Sequence, residues 1–231
     1  SVSAPPVQIP ARTLPLGKMY HVFTGVTLQR DFPPIGELPM GVTGKRYWTL
    51  SLRQPGRLWA DAKLVPNGMR YIRYGEEFLI RPRLKSADLF DKAKILVGRT
   101  VNRNAVDPIA ANLDDTGFCP NSNVFCICSL ESAGEVSDFS SVPVGWRELS
   151  ENEKLLWLLG ILSSDVAKDI TLGRRASRHL TSDMIRKFEL PERVDYSIVE
   201  LTNEIINRDK KRETIPFHDT LRESLNSAVE A

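Results

Sequence analysis

Over its first 130 residues the chain is cut by proline, glycine and asparagine into apolar runs too short to be helices. The breaks fall at Pro33-Pro34, Gly44, Pro55-Gly56, Pro66-Asn67-Gly68, Pro82 and Asp107-Pro108. Between them lie Lys18 to Thr24, Arg46 to Leu52, Arg57 to Ala60, Met69 to Tyr74, Glu77 to Arg81, Lys94 to Val101, Ile109 to Leu113 and Asn123 to Leu130. Short apolar runs bounded by turn residues read as strands. Proline cannot donate to a ladder and glycine supplies the tight turns, so the connections are short. The pattern predicts a twisted, largely antiparallel sheet or partial barrel.

The remaining third has a different period. Ser150-Glu151-Asn152-Glu153 is a capping box and opens a helix from Leu155 to about Ile170, apolar nearly all round and therefore buried. Ser182 can cap a short helix through Phe188, stopped before Pro191. Ser197 to Lys211 places Ile198, Leu201, Thr202 and Ile205 on one face, and a last helix sets Phe217, Leu221, Leu225 and Val229 at steps of four. The fold class is α+β: a β-rich part to about residue 130, then a helical part. Residues 1–13, rich in Pro and Ser, are expected to be disordered or a linker at the edge of something longer. Residues 14–195 form the main domain, and residues 196–231 are helices that pack on it or on a partner.

Most catalytic classes find no anchor. No run of about 18 apolar residues exists to span a membrane, so neither a membrane partner nor any location but the cytoplasm is expected. Cys119, Cys126 and Cys128 are odd in number and fit neither a disulfide framework nor paired zinc-ligand spacing, so they read as reduced small hydrophobes in strands. The histidines, His21, His179 and His218, lie far apart with no metal-binding spacing. An adenine methyltransferase needs an Asn/Asp-Pro-Pro-aromatic loop, and the nearest strings, Asp31-Phe32-Pro33-Pro34 and Asp107-Pro108-Ile109, are turns. Asp61-Ala62-Lys63 is too common a triplet to make a nuclease site, and there is no nucleophile elbow, P-loop or dinucleotide fingerprint. No catalytic residue, metal or cofactor is expected in this chain.

Charge is what the sequence does arrange. The net charge is only +2, yet Ala62 to Asn104 carries ten cations (Lys63, Arg70, Arg73, Arg81, Arg83, Lys85, Lys92, Lys94, Arg99, Arg103) against four anions. Asp107 to Asp165 reverses this with ten anions against two cations, and a second basic cluster follows in Arg174, Arg175 and Arg178. Such zoning suits a protein with one face on phosphates. The segment Lys94 to Asn104 concentrates this chemistry, because arginine pairs bidentately with guanine and asparagine with adenine in the major groove. Arg99, Asn102, Arg103 and Asn104 thus suit base readout, and serve equally as polar turn residues. Gly173-Arg174-Arg175 suits phosphate contact, and equally a helix C-cap.

The order of segments resembles the TaqI-like C-terminal specificity domain of N6-adenine DNA methylases, related to the target-recognition domains of type I specificity subunits. The residues that carry the resemblance are Tyr20-His21-Val22-Phe23-Thr24-Gly25-Val26-Thr27, Lys94-Ile95-Leu96-Val97-Gly98-Arg99, Ile109-Ala110-Ala111-Asn112-Leu113-Asp114 and Asn121-Ser122-Asn123-Val124-Phe125. They continue with Leu158-Leu159-Gly160-Ile161-Leu162-Ser163-Ser164, Arg178-His179-Leu180-Thr181-Ser182-Asp183-Met184 and Phe188-Glu189-Leu190-Pro191, with Ser163 where the family commonly has Asn.

The resemblance implies a recognition half without catalysis of its own. It would read double-stranded DNA for a methyltransferase domain or subunit of an adenine-N6 methylase or restriction-modification system, and that partner would bind S-adenosylmethionine. The DNA-contacting candidates are Arg81, Arg83, Lys85, Arg99, Asn102, Arg103, Asn104, Arg174, Arg175 and Arg178. Two alternatives are a protein-interaction module of a phage-defence or restriction complex that keeps the fold without reading DNA, and a fragment of a single-chain restriction-modification enzyme.

Overall fold

The computed structural model describes residues 13–28, 30–31, 33–42, 44–48, 57–60, 70–73, 87–100, 109–135, 142–167, 179–211 and 216–230. Nine strands are described: β1 (Thr13–Pro15), β2 (Tyr20–Thr24), β3 (Gly44–Trp48), β4 (Tyr71–Arg73), β5 (Lys94–Gly98), β6 (Ala111–Asp114), β7 (Cys119–Pro120), β8 (Val124–Ser129) and β9 (Glu189–Pro191). The main α-helices among the described residues are α1 (Glu151–Leu162), α2 (Ser182–Arg186), α3 (Tyr196–Lys211) and α4 (Pro216–Glu230). The class is α+β, and the sheets are open rather than closed into a barrel. No described helix is long and apolar enough to cross a membrane.

The central sheet has the order β2-β8-β5-β6 and is antiparallel throughout, with Val22 opposite Ile127, Ile95 opposite Ile127 and Ile95 opposite Leu113. Side chains alternate between faces with a period of two. Ile95, Val97, Phe125 and Ile127 therefore join the core containing the α1 leucines and Trp157. Leu96, Val124 and Cys126 join a second core with Trp48, Ile72, Phe90 and Phe118, over which the smaller sheet β4-β3-β7 lies. Burial on both faces explains why β5 and β8 read as continuous apolar runs and not as alternating ones. The three cysteines are free and buried in β7 and β8, as small hydrophobes.

One member of the basic zone changes role here. Lys94 pairs in register with Asp114, their side chains are both fully buried, and Nζ lies 2.6 Å from Oδ2. The ammonium also donates to the carbonyls of Phe90 (2.6 Å) and Lys92 (3.4 Å). The carboxylate accepts from the Thr116 amide and hydroxyl and from the Phe118 amide. A buried charge survives only when paired and hydrogen-bonded, and this one is. Lys94 is thus a strut between β5 and β6, not part of a binding surface.

The capping box at Ser150 and Glu153 is present, and α1 is buried along its length. It ends at Leu162 rather than near residue 170, because Ser163 is its C-cap and the Ser164 hydroxyl turns back onto the Ile161 carbonyl (2.7 Å). Gly160 marks the crossing with the last two helices: a Cβ there would sit 2.5 Å from Thr202 Oγ1, 2.6 Å from Ile198 Cγ2 and 3.3 Å from Leu225 Cδ1. Gly160→Ala is expected to destabilise the fold by about 1–3 kcal/mol, the overpacking cost exceeding the roughly 1 kcal/mol gain in helix propensity. Chemical denaturation checks this, with Thr202→Ala in the same background restoring part of the loss.

Three other expectations shift. The cap of α2 is Thr181, one residue before Ser182. Strand bounds move, so that β3 begins two residues before Arg46, at Gly44, and β4 begins after Arg70, at Tyr71, while residues 49–52, 69 and 74 and the run Glu77 to Arg81 lie outside the described residues. Arg57 to Ala60 makes only an isolated bridge, Trp59 to Leu113, because the Asp209 carboxylate of α3 takes the amides of Leu58 (2.6 Å) and Trp59 (3.2 Å). At the other side of the molecule β1 pairs with β9, and the Leu16 amide donates to the Phe188 carbonyl (2.8 Å), joining the beginning of the described chain to its last third.

Candidate nucleic-acid interface

Arg99 is the one candidate contact residue among the described residues; Arg81, Arg83, Lys85, Asn102, Arg103, Asn104, Arg174, Arg175 and Arg178 lie outside them. It follows the last residue of β5 and is held from three directions. Its amide donates to the Asn123 carbonyl (3.0 Å), and its own carbonyl accepts from the Leu180 amide (2.7 Å). Its guanidinium lies over the Phe125 ring at 5.3 Å and donates from Nη1 to the Ser122 carbonyl (3.3 Å). Among the described residues that uses one of five guanidinium donors, so the fork is positioned by an aromatic face while most of its hydrogen-bonding capacity stays open.

The next residue, Thr100, forms an antiparallel bridge with His179, and both are exposed. His179 directly follows Arg178, and Thr100 directly precedes the Val101 to Asn104 segment. The described residues that border the two basic clusters in sequence, Thr100 and His179, therefore meet at one place. The far end of the first segment is also anchored there: the Gly98 amide donates to Ala110 (2.8 Å), so Asn102, Arg103 and Asn104 belong to a connection whose ends are held side by side. Arg81, Arg83 and Lys85 connect elsewhere. They precede the 3₁₀ turn Ala87–Phe90, which feeds the Lys94 end of β5, opposite Arg99.

That opposite end is acidic. Ser129, Glu131, Glu135 and Glu151 gather where β8 ends and α1 begins, with Lys154 bonded to Glu151 (2.9 Å) and Glu131 (3.4 Å) and His21 against Glu135 (3.0 Å). Burial alone would raise the Glu151 carboxyl, but hydrogen bonds from Ser129, Lys154 and Ser132 outweigh it and hold the group below its ordinary value. A carboxylate depressed in the folded state stabilises the fold above its unfolded pKa, and that stabilisation is lost as pH falls through the folded one. The thermal unfolding midpoint is thus expected to fall as pH drops below about 4.5, and Glu151→Gln is expected to flatten that acid limb. The sheet consequently has a carboxylate-rich end and a guanidinium-bearing end, roughly 13 Å apart along β5.

A further polar element lies at the Arg99 end that charge counting does not reveal. The turn Pro120 to Asn123 packs against Gly25, where a Cβ would meet the carbonyl oxygens of Asn121 and Pro120 at 2.2 and 2.3 Å. Only glycine admits that approach, which gives a physical reason for the glycine after β2. The Asn121 side chain is used internally, accepting the Asn123 amide (3.0 Å) and hydrogen-bonding the half-buried Tyr47 hydroxyl. Burial raises the Tyr47 phenol above its ordinary value although the Asn121 bond opposes it. The signal for this turn in the sequence was Asn121-Ser122-Asn123 itself, read there as part of a strand entry and not as a surface.

No protein-family model and no curated protein matches the chain. Among solved structures it is similar to a chain of the type I R-M system, from work on that system's complex assembly and conformational transition, at 10% identity and a TM-score of 0.47, over 99% of this chain and 47% of that one. It is also similar to the HsdS subunit from Thermoanaerobacter tengcongensis at 13% identity and a TM-score of 0.46, over 98% of this chain and 46% of that subunit. The chain spans about half the length of both.

Proposed function

We propose that this chain is a sequence-specific DNA-recognition module that reads a duplex for a separate catalytic partner, an adenine-N6 methyltransferase or restriction enzyme, and has no catalytic centre of its own. The observation that supports the reading is the Thr100–His179 bridge, which sets Arg99 and the residues that border the two arginine segments in sequence at one end of the sheet, while the carboxylates of Glu131, Glu135 and Glu151 gather at the other. A polarised surface of this kind docks one way round on a polyanion. In this reading Arg174, Arg175 and Arg178 hold phosphates, and Arg99, Asn102, Arg103 and Asn104 reach base edges. Arg81, Arg83 and Lys85 are further candidates for phosphate contact. The methylase partner, its S-adenosylmethionine and the kinship to TaqI-like specificity domains rest on the sequence resemblance.

Fluorescence anisotropy with random duplex DNA across a salt series tests the reading. Binding that weakens steeply with salt supports it. No binding at low salt removes it in favour of the protein-interaction module.

A further inference from the structure

We propose that Asn123 is a base-reading residue, its carboxamide taking an adenine edge, and that the Pro120 to Asn123 turn is a third element of the interface; this rests on the DNA-recognition reading above. Two asparagines share the turn and are used differently. The Asn121 amide is consumed inside the fold by the Asn123 backbone and the Tyr47 hydroxyl. The Asn123 side chain is exposed and makes no hydrogen bond among the described residues.

Its backbone, by contrast, is fixed at both polar groups: the amide donates to Asn121 Oδ1 and the carbonyl accepts from Arg99. An exposed amide on a pinned backbone loses little freedom on binding. Its neighbours across the ladder are Arg99 and, beyond it, Leu180, with exposed Thr100 and His179 beside them. The rim therefore offers a guanidinium fork and a carboxamide on adjacent strands, the pair of groups that distinguishes guanine from adenine in a major groove.

The test is selection of the full chain on duplexes with a randomised core, for wild type, Asn123→Ala and Asn123→Asp, with thermal unfolding of each. We expect wild type to enrich a sequence with adenine at one position. Asn123→Ala should lose that preference roughly five- to a hundred-fold while keeping the others. Asn123→Asp, which can only accept, should move the preference at that position to cytosine, and neither variant should shift the unfolding midpoint. If both variants enrich the wild-type sequence unchanged, the inference falls and the DNA reading stands. If wild type enriches no sequence, both fall. A lowered midpoint in both variants makes Asn123 a structural residue and overturns the proposal.

Discussion

Replacing Arg99, Arg103, Arg174 and Arg175 together by Ala is expected to weaken binding to random duplex DNA by about a hundred-fold or more at low salt and to flatten its salt dependence. Each guanidinium on a phosphate releases condensed counterions, worth roughly 0.9 in the log–log salt slope per contact, so losing the two assigned to phosphates, Arg174 and Arg175, reduces the slope by up to about 1.8, and the loss of the base contacts of Arg99 and Arg103 adds to the fall in affinity. The control is built into the fold. Lys18 and Lys92 are exposed cations next to the strand ends at which Tyr20 and Lys94 lie, the carboxylate-rich end. Their replacement by Ala is expected to leave the slope close to that of wild type, and an equal loss there would mean a diffuse attraction with no docking face. Because Arg99 also covers Phe125 and bonds Ser122, Arg99→Ala alone is expected to cost about 1–2 kcal/mol of stability. Binding should therefore be compared at a temperature well below every variant's unfolding midpoint.

Asp114→Ala should be the most damaging single change among the residues discussed, destabilising by about 5 kcal/mol, with Lys94→Met nearer about 3 kcal/mol. The ranking follows from what each leaves behind. Without Asp114, the buried ammonium keeps only the Phe90 and Lys92 carbonyls, and the amides of Thr116 and Phe118 lose their acceptor. Without Lys94, the carboxylate still accepts from Thr116 and Phe118. For a chain of this size each kcal/mol moves the midpoint by about 2–4 °C, so calorimetry separates the two variants. Equal midpoints would show the Thr116 and Phe118 bonds to be energetically idle.

The strands and the buried helix were legible because they depend on local pattern: short continuous apolar runs between breakers for β5 and β8, and a Ser–Glu capping box for α1. What escaped depends on partners remote in sequence. Arg57 to Ala60 has the composition of a strand, and nothing local shows that Asp209, about 150 residues later, supplies its hydrogen bonds. Lys94 counts as one more cation until register sets Asp114 opposite it. β7, two residues long, is below any periodicity. The charge zones were visible as stretches of sequence, but the placement of Arg99 and of the Glu131, Glu135 and Glu151 carboxylates at opposite ends of one sheet required strand order, and Asn123 gained its distinct standing only when Asn121 proved to be the internally bonded member of the pair.

The bonds that fix Arg99 also set when the interface can exist. Asn123 lies 24 residues after Arg99 and Leu180 a further 57, so the rim is built from contacts that a growing polypeptide cannot make early. Long-range contacts are slow to close and form after local structure. During synthesis the arginine segment emerges well before the strand partner that seats it, and no nascent chain that stops short of Leu180 carries an assembled rim. If the chain reads DNA as proposed, selectivity arrives only with the completed fold.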